Sequence, residues 1–172
     1  MTNRRPGEGR YARIEREQRW LLDRVPPGVT DERVIVDHYW RGTTLRLRMI
    51  QDHDAVVYKL GQKVRVDESN PEIVKMTNIY LSESEFHALS VTPAAIISKS
   101  RWSATSKGVD YVVDEFKGRH AGLVLAEIEL EESARCISGP EFAVAEVTND
   151  SEYSGGWLAT ASTDDLRRII HY

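Results

Sequence analysis

The sequence has a single cysteine, Cys136, so no internal disulfide can staple the chain. It has no apolar run of the roughly eighteen residues that a membrane helix needs, and no charged segment leading into an apolar core. Membrane insertion and export are therefore not expected, and a cytoplasmic location is the default. Its five histidines (His38, His53, His87, His120, His171) share no spacing that would set two on one helical or strand face, which argues against a histidine-bound transition metal. There is also no surplus of positive charge. With 23 Lys and Arg against 27 Asp and Glu the net charge is −4, so the chain does not carry the footprint of a nucleic-acid or anionic-membrane binder, and any basic site must be local.

What the chain does have is a period of two. Its 172 residues, 41% of them hydrophobic, suffice for one core, and we expect one domain over 11–172 after a polar, glycine-containing flexible tail over 1–10. Alternation of apolar and polar residues runs through Tyr11 to Leu21, Arg33 to Arg41, Thr43 to Gln51, Ala55 to Val64, Glu72 to Leu81, Ala95 to Ser103, Val109 to Lys117 and Leu123 to Glu131. Turn residues separate these segments, among them Pro26-Pro27-Gly28, Asp52-His53-Asp54, Ser69-Asn70-Pro71 and Lys107-Gly108. The spacing suits antiparallel neighbours. Helical signals are fewer. Ser82 followed by Glu85 forms a capping box ahead of Phe86, and Thr163 to Ile170 places Asp164 and Asp165 at one end and Arg167 and Arg168 at the other, as the helix dipole favours. The fold class is mainly β (α+β).

The alternation sorts charge by strand. Glu15, Glu17 and Arg19 share one face, with Ile14 and Trp20 on the other; Arg46 and Arg48 share a face, as do Glu127 and Glu129, Lys99 and Arg101, and Lys59 and Lys63. A solvated strand face mixes Thr, Ser, Lys and Glu, whereas paired carboxylates here occupy two strands and paired cations occupy others. If about eight strands close, these faces line a hydrophilic tunnel, and rows of like charge beside one another require a ligand between them. A polyanion with a divalent metal fits. Arginines Arg46, Arg48 and Arg101 offer forks for phosphate oxygens, Lys59 and Lys99 offer point charges, and the glutamates are hard donors for Mg²⁺ or Mn²⁺.

These residues resemble a known family. The opening IEREQRWLL, then VDHYW with TLRLR, VVYKLGQK, ISKSRW, VDEFKGRHAGLVLAEIEL and AEVTNDSEYSGGWLA resemble, in matching order, the motifs of the CYTH or triphosphate tunnel superfamily over nearly the whole chain. The resemblance implies a closed antiparallel β-barrel tunnel of about eight strands with helices packed outside. It implies metal-dependent hydrolysis of a linear triphosphate, inorganic tripolyphosphate first, with thiamine triphosphate hydrolysis, class IV-type adenylate cyclisation and non-catalytic binding of polyphosphate or a nucleotide as alternatives. Carried over by motif, Glu15, Glu17, Glu127, Glu129 and Glu146 form the acidic, metal-holding set, with Asp114 as a metal or network partner. Arg46, Arg48, Lys59, Lys99 and Arg101 form the phosphate-binding set, and Arg19 and Tyr39 the catalytic pair.

The resemblance breaks at Arg19, where the family's ExExK motif has lysine. Arginine holds its proton too tightly to act as a base near neutrality, so Arg19 is expected to bind phosphate or orient Tyr39. Tyr153 is expected to pack beneath the last helix, and Arg65 to be solvated at a strand end. The partner implied is a small-molecule triphosphate, taken up by a single chain or a homodimer, without nucleic acid or membrane.

Overall fold

The computed structural model describes residues 9–66, 73–131 and 133–170. The tail expected over 1–10 lies outside the described residues up to position 8, as does the turn Ser69-Asn70-Pro71. Eight long strands follow one another as β1 (Arg13–Leu22), β2 (Thr30–Tyr39), β3 (Leu45–Gln51), β4 (Val56–Arg65), β5 (Ile73–Leu81), β6 (Ala95–Ser106), β7 (Val109–Phe116) and β8 (Val124–Leu130). Each covers a segment expected from the alternation, with β2 starting earlier and β6 running longer.

The strands pair antiparallel in the order β5-β4-β3-β2-β6-β7-β8-β1, and β1 pairs again with β5, so the sheet closes into an eight-stranded barrel. Strand β1 makes the closure possible by changing partners along its length. Arg13 to Arg16 face β5, and further along that side the two-residue β9 (Ala145–Glu146) meets Trp20 and Leu21. Val144 N–H donates to Leu21 O at 2.8 Å and Val147 N–H to Arg19 O at 2.8 Å, and Arg19 N–H donates to Thr148 Oγ1 at 3.0 Å, so backbone groups beyond the reach of β5 are paired elsewhere.

Two apolar clusters sit on either side of this wall. On the outer face, Trp20, Leu22, Tyr111, Val113, Val124 and Ala126 are buried under Ile137, Phe142 and Ala143, with the Trp20 and Tyr111 rings edge-on at 5.7 Å. On the inner face, Leu21, Ile97, Phe116 and Leu125 continue the parity of Arg19, Lys99, Asp114 and Glu127 but are apolar. They meet Leu158 and Ala159 of α2 (Gly155–Thr160) and Leu166 and Ile169 of α3 (Thr163–Ile170). The charged stretch of the tunnel therefore ends in an apolar floor. His120, in a turn of 3-10 helix before β8, is buried and hydrogen bonds through Nε2 to Leu158 O at 2.9 Å, tying α2 to the barrel.

Among the described residues one helix packs outside the barrel wall in the manner expected. This is α1 (Glu83–Ser90), whose N-cap Ser82 and Glu85 complete the capping box, and whose buried Phe86 lies against Tyr58 at 4.6 Å and His38 at 5.9 Å. Helices α2 and α3 instead stop one end, because the inward side chains there are apolar and need cover. No helix among the described residues is long and apolar enough to cross a membrane.

Candidate functional site

Inside the barrel lies a cavity of about 580 Å³. Its walls carry Glu15, Glu17 and Arg19 from β1, Asp37 and Tyr39 from β2, Arg46 and Arg48 from β3, Lys59 and Lys63 from β4, Lys99 and Arg101 from β6, and Glu127 and Glu129 from β8. Strand alternation puts them there, since the intervening side chains, such as Gln18, Leu47 and Ala126, point away and are buried outside. In the ring of strands, the carboxylate pair β8–β1 stands across from β3 and β2. A second cavity of about 710 Å³ shares Glu17, Arg101, Glu127 and Glu129 with the first and is bordered by Asp31, Ser103, Thr105 and Asp110.

One chain of ion pairs crosses several strands. Lys63 Nζ donates to Glu17 Oε2 at 2.8 Å, and Arg19 Nη2 reaches the same oxygen at 3.2 Å. Arg19 Nε donates to Glu127 Oε1 at 2.7 Å, and Arg101 Nη2 to Glu127 Oε2 at 2.9 Å. Arg101 also grips Asp114 with Nε and Nη2, both at 2.6 Å, and Lys99 donates to the same Asp114 carboxylate. A second group stands apart from this chain. Asp37 accepts from Arg48 Nε and Nη2, both at 2.6 Å, with Arg46 Nε 3.8 Å away.

Electrostatics divide the site into satisfied and crowded groups. Burial opposes ionisation of Glu127, but Arg19, Lys99 and Arg101 outweigh it and hold its carboxyl well below the ordinary range. Burial likewise opposes the charge on Asp37, and Arg48 overcomes it, bringing the carboxyl down to about 2. Glu15 behaves oppositely. Burial raises it, and Glu17 and Glu129 raise it further, since no cation pairs with it closely. Lys59 is the cationic counterpart: burial lowers its ammonium, and Arg48, Arg46 and Arg101 lower it again. Among the described residues no carboxylate stands within ion-pair distance of Lys59, whose Nζ lies 5.8 Å from the centre of the Tyr80 ring.

Arg19 is charged, because the Glu127 and Glu17 carboxylates raise its guanidinium against the burial that opposes its charge. Tyr39 is held in its neutral form chiefly by burial, with Asp37 adding to the effect; its hydroxyl bonds Arg46, and a Cβ at Gly155, the first residue of α2, would run into it. The glycine is what lets α2 begin against the tyrosine.

Of the residues expected from the sequence, all but two line the cavity. Asp114 is fully buried behind the lining, its oxygens occupied by Arg101 and Lys99, and Glu146 is exposed on the short β9, where Gln18 Nε2 and Thr148 Oγ1 donate to it at 3.2 and 2.8 Å. Neither has the surroundings expected of a metal ligand. Glu146 pairs with Trp20, whose side chain points outward, so its motif position falls on the wrong side of the wall. Arg65 is exposed as expected and yet borders the cavity, and Tyr153 both packs in the α2–α3 cluster and forms part of the cavity wall. Asp37 was missed. Its signal was its parity with Tyr39, which puts both on the inner face.

Glu15, Glu17 and Glu129 fit a divalent cation by donor chemistry. They are hard carboxylates on adjoining strands, and the repulsion of Glu17 and Glu129 adds to the burial that raises Glu15. Among the described residues no three carboxylate, imidazole or thiol groups already stand in a metal-holding cluster. The donors would therefore have to turn towards an ion.

No protein-family model matches the sequence. A stretch of 58 residues is 40% identical to a protein of Acetivibrio thermocellus named inorganic triphosphatase, covering 34% of this chain and 37% of that relative. The match thus spans little more than a third of the relative's length. The fold is similar to the crystal structure of the inorganic triphosphatase NE1496, with a TM-score of 0.58 at 23% identity over 86% of this chain and 95% of that one. It is also similar to PH1819 of Pyrococcus horikoshii OT3, with a TM-score of 0.50 at 16% identity over 91% and 88% of the two chains. By its closed eight-stranded tunnel the chain shares the fold of these solved structures, with carboxylate and cation strands facing inward.

Proposed function

We propose that the chain hydrolyses a linear triphosphate, inorganic tripolyphosphate foremost, with Mg²⁺ or Mn²⁺ as cofactor. The observation that carries this reading is the pair of self-crowded walls in one cavity, Glu15 beside Glu17 and Glu129, and Lys59 beside Arg46 and Arg48. A polyanion relieves the second and a divalent cation the first. The 40% identity to a protein named inorganic triphosphatase supports the same reading.

Arg46, Arg48 and Lys59 receive the phosphate oxygens, Arg48 through donors that Asp37 leaves unused. A divalent cation held by Glu15, Glu17 and Glu129 would supply charge neutralisation at the bridging and terminal oxygens. Arg101 and Lys99, fixed by Asp114, add cationic charge from β6. Water attacks the terminal phosphorus in line, the bridging P–O bond breaks with its electron pair left on diphosphate, and the water proton passes to the released phosphate. Arg19, charged and held by two glutamates, takes no proton in this scheme and keeps Glu127 and Glu17 apart. Tyr39 keeps its own proton and steadies Arg46.

The test is phosphate release from tripolyphosphate, thiamine triphosphate and ATP with Mg²⁺ or Mn²⁺, beside an Arg46→Ala, Arg48→Ala control. Release from tripolyphosphate that the control loses supports the proposal. The arginine in place of lysine at Arg19 favours a second reading, binding without turnover. Metal-assisted binding by calorimetry with no release from any of the three would establish that reading and reject hydrolysis.

A further inference from the structure

We propose that Asp37 is the positioning residue of the phosphate wall, acting through Arg48. This rests on the triphosphate reading of the cavity. A buried carboxylate among phosphate-binding cations is at first sight misplaced, since its charge repels the ligand. Asp37 is 1% exposed, stands in the cavity wall and is the cross-strand neighbour of Arg48. The two meet fork to fork, with Oδ1 accepting from Nε and Oδ2 from Nη2, both at 2.6 Å. Those two bonds use one edge of the guanidinium. Nη1 and the second hydrogen of Nη2 are left pointing away from the carboxylate, and turning the plane would break both bonds at once.

The neighbouring cations lack such a two-bond carboxylate hold, Arg46 having a single bond to the Tyr39 hydroxyl. Arg46 Nε is 3.8 Å from Asp37, beyond hydrogen-bonding distance, and Lys59 has no carboxylate in range among the described residues. Arg48 is thus the cation of this wall that a two-bond carboxylate fork fixes before the ligand arrives, with the same design repeated on the next two strands of the ring, where Asp114 of β7 grips Arg101 of β6. A donor fixed in advance lowers the barrier without adding ground-state affinity, because no reorganisation is needed when charge shifts onto the leaving oxygens. Asp37 therefore weakens polyanion binding through its charge and speeds turnover through its geometry.

The experiment measures Asp37→Asn and Asp37→Glu, alone and in an Arg48→Gln background, with tripolyphosphate and Mg²⁺. Asp37→Asn is expected to lower kcat about tenfold while the Kd by calorimetry stays level or tightens. In the Arg48→Gln background the same change should leave kcat within about twofold, since the residue it acts through is gone. Should Asp37→Asn fail to fold, Asp37→Glu carries the reading: it keeps the charge, displaces the fork by one methylene, and should lower kcat with Kd unchanged. Wild-type kcat in the variant that folds overturns the proposal, as does a tenfold loss that persists without Arg48, or a loss of affinity in step with kcat. If the wild type releases no phosphate at all, hydrolysis fails separately. The clamp is then read by nitrogen-15 NMR, where a slowly exchanging Arg48 Nε hydrogen in wild type should be lost in the Asp37 variant, and fast exchange in wild type overturns it.

Discussion

Arg19 and Glu127 face each other in register on β1 and β8 and are joined by a 2.7 Å bond from Nε to Oε1. The same guanidinium reaches Glu17, so one side chain holds two carboxylates of the acidic wall. Removing it takes one cation from each in a largely buried setting, leaving Glu17 with Lys63 and Glu127 with Arg101. Arg19→Ala should cost about 3 kcal/mol, the scale for breaking a buried ion pair, and lower the melting temperature by about 6–12 °C. Calorimetric unfolding checks this, and an unchanged midpoint would mean that the existing bonds from Lys63 and Arg101 suffice for Glu17 and Glu127.

The strand segments and the inward charges were legible because a period of two leaves each side chain only two faces. Arg46, Arg48, Lys59, Lys99 and Arg101 were all placed correctly by that rule. The rule fails where pairing is irregular. Glu146 sits on a two-residue strand reached by a long loop, and no periodicity extends that far to assign its face. It is also silent on what a charge faces across the strands, so Asp114 was left open between metal partner and network partner, and the structure shows the network role. The stopping of the barrel by α2 and α3 was hidden for a further reason. The inward residues Leu21, Ile97, Phe116 and Leu125 are ordinary apolar strand residues until tertiary structure shows what lies over them.

Gly155 is a position where a methyl group is too much. Its absent Cβ leaves room for the Tyr39 hydroxyl, so Gly155→Ala should overpack the junction of β2 and α2 and destabilise the fold by about 1–3 kcal/mol. The obstructing atom is the hydroxyl, and Tyr39→Phe in the same protein should recover most of the loss. Failure of that double variant to recover would move the strain from the side chain to the α2 backbone.

The carboxylates differ in what they are free to do. Glu15 has no ion-pair partner within reach among the described residues, whereas Glu146 is engaged by Gln18 and Thr148 on the far side of the wall. Glu15→Gln should weaken Mn²⁺ binding at least about tenfold, while Glu146→Gln should leave it unchanged. Titration of the metal without any phosphate, read by calorimetry or by the manganese resonance signal, distinguishes them. Equal losses would return Glu146 to the ligand set.

Lys59 ties affinity to pH. Burial disfavours its ammonium, and three arginines, Arg48, Arg46 and Arg101, disfavour it further, with Glu15 acting against them, so it gives up its proton below the ordinary lysine range. A bound polyanion reverses that preference by placing negative charge beside the amine. Binding must then take up a proton wherever the free lysine is already neutral, and tripolyphosphate affinity should be flat at neutral pH and fall as pH rises through the lowered pKa of the free amine. Calorimetry in two buffers of different ionisation heat counts that proton directly. Lys59→Met should bind about tenfold more weakly at neutral pH, the scale of one charge-assisted hydrogen bond, and should lose most of the alkaline slope. If Lys59→Met keeps the wild-type slope, the titration belongs to Lys99, which burial also lowers but which Asp114 holds in its charged form.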